Sequence, residues 1–284
     1  MSFVETFPLF DGHTHFSHMF LDQVMESYRQ CGVIGGINIG GFHHLDYGQY
    51  LRAMNKAKLD NWTSFYWPSW RPLGYMGSRY VRKVVADMRR FAKLGCRGLK
   101  VWKDIGMHIF DANNKPVTMD DKRLEPIWQT AGELGWWISV HQSDPTRCWP
   151  WRTGITREEI WQRRDTVIAA HPGIRFILCH NCNDIESVAK FGETLDRFPN
   201  VWSDIGRDFL LHDTLADTQA FLEKYADRLF FGPDQGMPDE RPPDFKWNRE
   251  EYNIPWRKLL VSYGMSDTAF RKFTFENGQK LFMT

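Results

Sequence analysis

The chain has 284 residues, with 36 Lys+Arg against 35 Asp+Glu and a formal charge of +1. That balance leaves no basic stripe or acidic tail, which argues against nucleic acid or an anionic membrane surface as a partner. No apolar run approaches the roughly 20 residues that span a bilayer, and Met1-Ser2-Phe3-Val4-Glu5 lacks both the basic and the apolar part of a secretory leader, so a soluble cytoplasmic protein is expected.

Eight short apolar runs recur along the chain and read as strands, at residues 7–13, 35–40, 63–67, 98–102, 137–141, 176–180, 201–205 and 229–232. Helical patterns lie between them. Ser78 is placed to cap a helix whose apolar face is Val81, Val84, Val85, Met88, Phe91 and Ala92, with Gly95 to end it. Leu124, Ile127, Trp128, Ala131 and Leu134 repeat at helical spacing before Gly135. Pro126 then falls in the first turn, where its missing N–H costs little. Thr156 and Glu159 form a T-x-x-E capping box that opens a helix carrying Ile160, Val167 and Ile168. Further helices are predicted at 185–195, 215–225 and 266–282, and the Pro-rich stretch 233–243 reads as a loop over the mouth.

Strands alternating with helices in this number predict an α/β fold, a single-domain (β/α)₈ TIM barrel over residues 1–284. An open doubly wound sheet is the rival. Polar residues close the first, fifth, sixth and eighth runs, and only barrel closure brings the first and eighth together. No Gly-x-Gly-x-x-Gly follows an early strand, so a dinucleotide is not indicated. Five cysteines in so long a chain do not resemble a disulfide framework. Cys179 and Cys182 form a C-x-x-C without a second pair, which argues against a structural zinc ribbon, and Cys179 reads as packed outward from the barrel.

The chemistry concentrates where the runs end. The first closes as Asp11-Gly12-His13-Thr14-His15, and strand residues two apart face the same way, so His13 and His15 project together. The fifth run ends in His141, the sixth in His180, and the eighth leads to Asp234. Strand-terminal histidines and a carboxylate converging in one barrel are what a mononuclear divalent-metal site requires.

With these marks in order, the chain resembles the amidohydrolase superfamily, and within it the group that holds picolinate-type decarboxylases and small metal-dependent hydrolases. The H-x-H at His13 and His15, the strand-end His141 and His180, and Gly232-Pro233-Asp234 carry the resemblance. The segments Gly98-Leu99-Lys100-Val101-Trp102-Lys103-Asp104 and Glu276-Asn277-Gly278-Gln279-Lys280-Leu281-Phe282 are similar to the same group. The β-sandwich that often flanks the superfamily barrel is expected to be absent, since so little chain precedes His13. The resemblance implies that His13, His15, His141 and Asp234 bind one divalent ion; Zn²⁺ suits three imidazoles and a carboxylate, and Mn²⁺ is accommodated. It implies metal-activated water as the reagent, with His180 and Asp234 as the catalytic groups that move protons.

Around this set lie candidate substrate-binding residues. Lys100 ends the fourth run, where some members of the superfamily carry a carbamylated lysine between two metals; here it reads as a carboxylate-binding lysine or a partner of Asp104. Arg207 follows the seventh run and could grip a carboxylate through its fork, or pair with Asp208 or Asp204. Tryptophan is unusually frequent, at 13 copies. Trp67, Trp70 and Trp102 fall just past strand ends, as helix–loop packing or as the wall of a pocket for a flat substrate. His43 and His44 read as a solvated loop pair, and His18, His108, His171 and His212 as surface or packing residues.

The expectation is an enzyme, a metal-dependent hydrolase acting on an amide, ester, lactone or related carbonyl of a small molecule, aromatic in one reading. The alternative is a metal-dependent non-oxidative decarboxylase or other C–C lyase on the same site. A non-catalytic ligand-binding barrel would break a position of the set, and none is broken. The partner is a small-molecule substrate, with a homodimer as an allowed assembly.

Overall fold

The structure is a computed structural model that describes residues 7–40, 46–142, 154–182, 187–205, 214–236, 258 and 261–283. Its strands are β1 (Leu9–His15), β2 (Val33–Ile39), β3 (Trp62–Tyr66), β4 (Gly98–Val101), β5 (Trp137–Val140), β6 (Arg175–Leu178), β7 (Val201–Ile205), β8 (Leu229–Phe231) and the short β9 (Gln235–Gly236). Neighbours follow chain order and every pairing is parallel, from β8 at one end through β1 to β9. β8 pairs with β7, and β9 pairs with β1 through Thr14↔Gln235 and His15↔Gly236. The eighth barrel strand is therefore in two pieces, parted by Gly232-Pro233-Asp234, and the barrel is nearly closed. This corrects the expectation of an uninterrupted loop from 233; residues 237–243 lie outside the described residues.

Helices cover the outside, and their local chemistry is mostly as expected. Thr156 caps Arg157–Ala170 in a complete capping box, and Pro126 opens Glu125–Glu133, which ends before Gly135 at φ 64°. Helix Ser78–Ala92 buries Val81, Val84, Met88 and Phe91 against the barrel. Its cap is a correction: Ser78 is the first helical residue and Gly77 precedes it without a side-chain cap. The last segment, Asp267–Arg271 and Asn277–Phe282, is joined by a π-helical turn at Lys272–Glu276. Among the described residues no helix is long and apolar enough to cross a membrane.

Inside the barrel two layers differ in chemistry. The lower layer is aromatic and aliphatic, with Phe10, Ile37, Phe65, Trp137, Ile177 and Phe230 closed from below by Phe282. The Phe282 ring lies 5.8 Å from Phe10 and 4.8 Å from Trp137, so the last helix plugs the barrel floor. Burying each such ring stabilises by about 1.5–3 kcal/mol. The upper layer is polar. Register brings Lys100 beside Ser139 and ends β4, β5 and β6 together at Val101, Val140 and Leu178, so Trp102, His141 and Cys179 emerge at one level.

Candidate metal centre at the barrel mouth

β1 runs to its last residue with His13 and His15 on one side. The Nε2 atoms of both rings meet the same carboxylate oxygen, Asp234 Oδ1, at 3.3 Å from His13 and 3.1 Å from His15. Each opposite nitrogen has an acceptor. His13 Nδ1 donates to Asp204 Oδ2 at 2.9 Å, and His15 Nδ1 donates to the Ile39 carbonyl at 2.7 Å. An imidazole that donates from Nδ1 presents a lone pair at Nε2, the arrangement that orients histidine toward a metal. Burial lowers the His13 pKa to about 4, with Lys100 adding to the effect against Asp204 and Asp234, so this ring is neutral near neutral pH. Burial alone would raise Asp234, but His13, His15 and His180 more than offset it and hold this carboxylate ionised. Two imidazoles and a carboxylate with ligand atoms within 4.8 Å of one another fit a divalent cation.

His180 reaches the same place from β6. Its Nδ1 lies 3.1 Å from Asp204 Oδ1 and its Nε2 lies 3.4 Å from Asp234 Oδ2 without hydrogen-bond geometry, leaving a buried nitrogen turned into the site. The backbone is unusual here. His180 and Asn181 both have left-handed φ, at 53° and 59°, and Asp204 Oδ1 accepts from the His180 N–H at 2.9 Å. Asp234 shares the left-handed φ, at 53°. Non-glycine residues rarely adopt this conformation, and clustering of such strain marks sites where the surroundings fix a functional geometry. His141 stands behind His180, with ring centroids 4.9 Å apart. Burial and the neighbouring His180 hold it well below the usual imidazole range.

Two carboxylates in this layer carry no site role in the sequence reading, where Asp204 is only a possible partner of Arg207. Asp204, on β7, is fully buried and serves both His13 and His180. Burial would raise its pKa, yet the two imidazoles hold it far below the usual carboxylate range. Asp11 folds back to accept from the His13 N–H at 3.0 Å, and burial raises its carboxyl well above normal.

The residues expected to bind substrate separate into three groups. Lys100 is 1 % exposed, and its ammonium donates to Cys179 Sγ at 3.0 Å and Ser139 Oγ at 3.3 Å, beneath the metal-site residues. Asp104 pairs with His108 instead, which corrects the Lys100–Asp104 expectation. Cys179 is likewise corrected: it points into the barrel, and burial raises its thiol to about 12. His13, Cys179 and Asp204 also cluster closely enough to suggest a second cation, but the Lys100 ammonium against the sulfur opposes one. Trp70 is fully buried and donates its indole N–H to the Lys100 carbonyl, so it props β4 rather than facing the mouth. Trp67 and Trp102 are only partly buried; the Trp67 ring lies 5.6 Å from His15 and 5.6 Å from Trp102. Arg207, with His43, His44 and His212, lies outside the described residues.

Past Trp102 the aromatic wall continues to His108, with ring centroids 6.4 Å apart. His108 lines a cavity of about 840 Å³ with Arg71, Tyr75, Phe110 and Asp111. Arg71 is exposed and makes no ion pair among the described residues. Arg71 follows its strand by several positions and carries no motif, so the sequence does not mark it.

The amidohydrolase family profile matches residues 51–283. The chain belongs to the amidohydrolase family. Among solved structures, an uncharacterised TIM-barrel protein from Bordetella bronchiseptica has a TM-score of 0.67 at 14% identity, covering 97% of this chain and 98% of that one. A putative 2-pyrone-4,6-dicarboxylic acid hydrolase from Pseudomonas putida has a TM-score of 0.60 at 15% identity, with 97% of each chain covered. A 2,6-dihydroxybenzoate decarboxylase from Rhizobium has a TM-score of 0.56 at 15% identity, covering 97% of this chain and 98% of that one. At these identities the likeness establishes the barrel fold. Comparison with curated protein sequences finds no match. The amidohydrolase assignment makes this an enzyme of a family whose members typically bind metal.

Proposed function

We propose that this amidohydrolase is a metal-dependent hydrolase acting on an amide, ester, lactone or related carbonyl of a small molecule. The observation that carries the reading is the meeting of His13 and His15 Nε2 on one Asp234 oxygen, each ring backed by its own acceptor. His13, His15 and Asp234 would hold one divalent ion with His141 as the further ligand, and Zn²⁺ suits that donor set better than Mn²⁺. Such an ion polarises a carbonyl and acidifies water.

The protein's own groups supply the rest. His180 Nε2 faces Asp234 Oδ2 at 3.4 Å and is positioned to take up or deliver a proton within the site. Trp67 and Trp102, their rings tilted 56° to one another, form an apolar wall beside His15 that suits a planar substrate and limits water at the reacting carbonyl. Arg71, in the cavity that His108 lines, provides a carboxylate grip that the buried Lys100 ammonium cannot.

The deciding experiment is turnover of lactones, amides and aromatic acids in ¹⁸O water. Label in the product is the expected result. Release of CO₂ with solvent deuterium on carbon would overturn it in favour of the lyase alternative.

A further inference from the structure

One carboxylate in the upper layer has a double duty that no motif announces. Asp204 is fully buried, yet neither of its oxygens pairs with a lysine or arginine among the described residues. Oδ2 accepts from His13 Nδ1 at 2.9 Å, while Oδ1 accepts from the His180 N–H at 2.9 Å and lies 3.1 Å from His180 Nδ1. The two imidazoles stack, with centroids 4.7 Å apart and planes 23° from parallel. Both present Nε2 to Asp234, one to each oxygen, at 3.3 and 3.4 Å.

We propose that Asp204 is a shared positioning residue, setting the same tautomer in His13 and His180 so that a metal ligand and a proton carrier are oriented by one group. An ionised carboxylate offers acceptors only, so it requires an N–H from each ring it touches. With both Nδ1 atoms protonated, both Nε2 atoms carry lone pairs toward the mouth, one for a cation and one for a proton. The bond to the His180 N–H fastens the same carboxylate to the left-handed His180–Asn181 turn, which sets where that ring stands. Asparagine would break the symmetry, since its amide has one acceptor oxygen and one donor nitrogen. It can satisfy one Nδ1–H but must meet the other ring as a donor, which forces that ring to carry its proton on Nε2. The isosteric Asp204→Asn variant therefore cannot serve both histidines.

The proposal rests on the reading of His13 as ligand and His180 as proton carrier, so its test does not begin with turnover. ¹⁵N-histidine labelling of the metal-stripped full chain, read at about pH 8 where imidazoles are neutral, distinguishes Nδ1–H from Nε2–H rings by two-bond ¹H–¹⁵N correlations. His13→Asn and His180→Asn assign the signals. Wild-type protein is expected to show Nδ1–H at both His13 and His180, and Asp204→Asn to convert at least one. An Nε2–H tautomer at either ring in the wild type overturns the proposal without any Asp204 variant. So does retention of Nδ1–H at both in Asp204→Asn. Titration with Zn²⁺ alone is the second arm: Asp204→Asn should bind about 10–100-fold more weakly, the span for outer-shell partners of metal histidines, while His180→Asn stays within about threefold of wild type. Zn²⁺ affinity of Asp204→Asn within about threefold of wild type would likewise overturn the shared role. Absence of turnover on every carbonyl substrate would count against the hydrolase reading and leave both of these results standing.

Discussion

Gly232 and His13 approach across the seam of the barrel so closely that a Cβ at position 232 would lie 3.1 Å from the Cβ of His13 and 2.7 Å from that of Asp204. Both values are below ordinary contact, and both neighbours belong to the candidate site. The glycine is what lets β8 pass against β1 before Asp234 turns into the mouth. Gly232→Ala is expected to destabilise the fold by about 1–3 kcal/mol, the usual cost of overpacking. It should weaken metal binding as well, because the displaced side chains are His13 and Asp204. Denaturant unfolding and Zn²⁺ titration check both, and an unchanged unfolding midpoint with wild-type affinity would contradict the close approach.

Metal content is the most direct expectation. Purified protein should carry about one divalent ion per chain, and His13→Ala with His15→Ala should abolish it. Removal with a chelator should abolish turnover, and Zn²⁺ should restore it. Elemental analysis that finds no transition metal in active protein would refute the centre. Close to two ions per chain would instead place a second ion by Lys100, against the ammonium contact to Cys179.

His180 and His141 should part company on substitution. His180→Asn is expected to keep the metal while losing about 10²–10⁴-fold in kcat, the range of general acid–base groups. His141→Asn should lose metal affinity and activity together. Equal metal loss in both variants would make His180 a ligand, a role its 3.4 Å approach to Asp234 permits geometrically.

The metal-free protein should also weaken on the acid side. His13 has its folded pKa lowered from 6.5 to about 4. Between those values the unfolded chain binds a proton that the folded state refuses, so stability rises with pH across the window and falls as pH drops through it. The shift corresponds to about 3 kcal/mol at most. His141, lowered by burial and by His180, acts in the same direction. Urea unfolding from about pH 7 to pH 4 measures the slope. His13→Asn should flatten it, and an undiminished slope in that variant would assign the effect elsewhere.

The barrel was legible because each apolar run is buried on both faces, which parallel strands between helices require. Strand boundaries from sequence and structure agree to within about two residues. The H-x-H was legible because strand parity puts His13 and His15 on one side. Parity fails just past a strand, and Cys179 shows why. β6 ends at Leu178, and the left-handed His180–Asn181 pair redirects the chain, so inward and outward no longer alternate. The true partners of Asp204 and Lys100 were hidden for another reason. Each of these two residues is a charge inside an apolar run whose partners arrive from strands distant in sequence; His13 and Asp204 are 191 positions apart. The signal that could have found them is the charge itself, since a carboxylate or ammonium within a buried strand is costly without partners.

Substrate recognition yields the last expectation. The aromatic path His15, Trp67, Trp102 and His108 leads from the candidate metal site to the cavity where Arg71 stands exposed. Lys100 cannot supply the carboxylate grip, because its ammonium is buried against Cys179 and Ser139. A guanidinium that forks onto a carboxylate forms charge-assisted bonds of about 1.5–3 kcal/mol. Arg71→Met should therefore raise KM by about 10–100-fold for substrates bearing a carboxylate at the far end, leaving kcat nearly unchanged. Neutral amide analogues of the same substrates should lose little, since they never made the ion pair. Trp102→Leu should raise KM for planar substrates with and without the carboxylate, because it removes the wall rather than the charge. Equal losses for charged and neutral substrates in Arg71→Met would show that the cavity is not a carboxylate subsite, and would turn attention to Arg207.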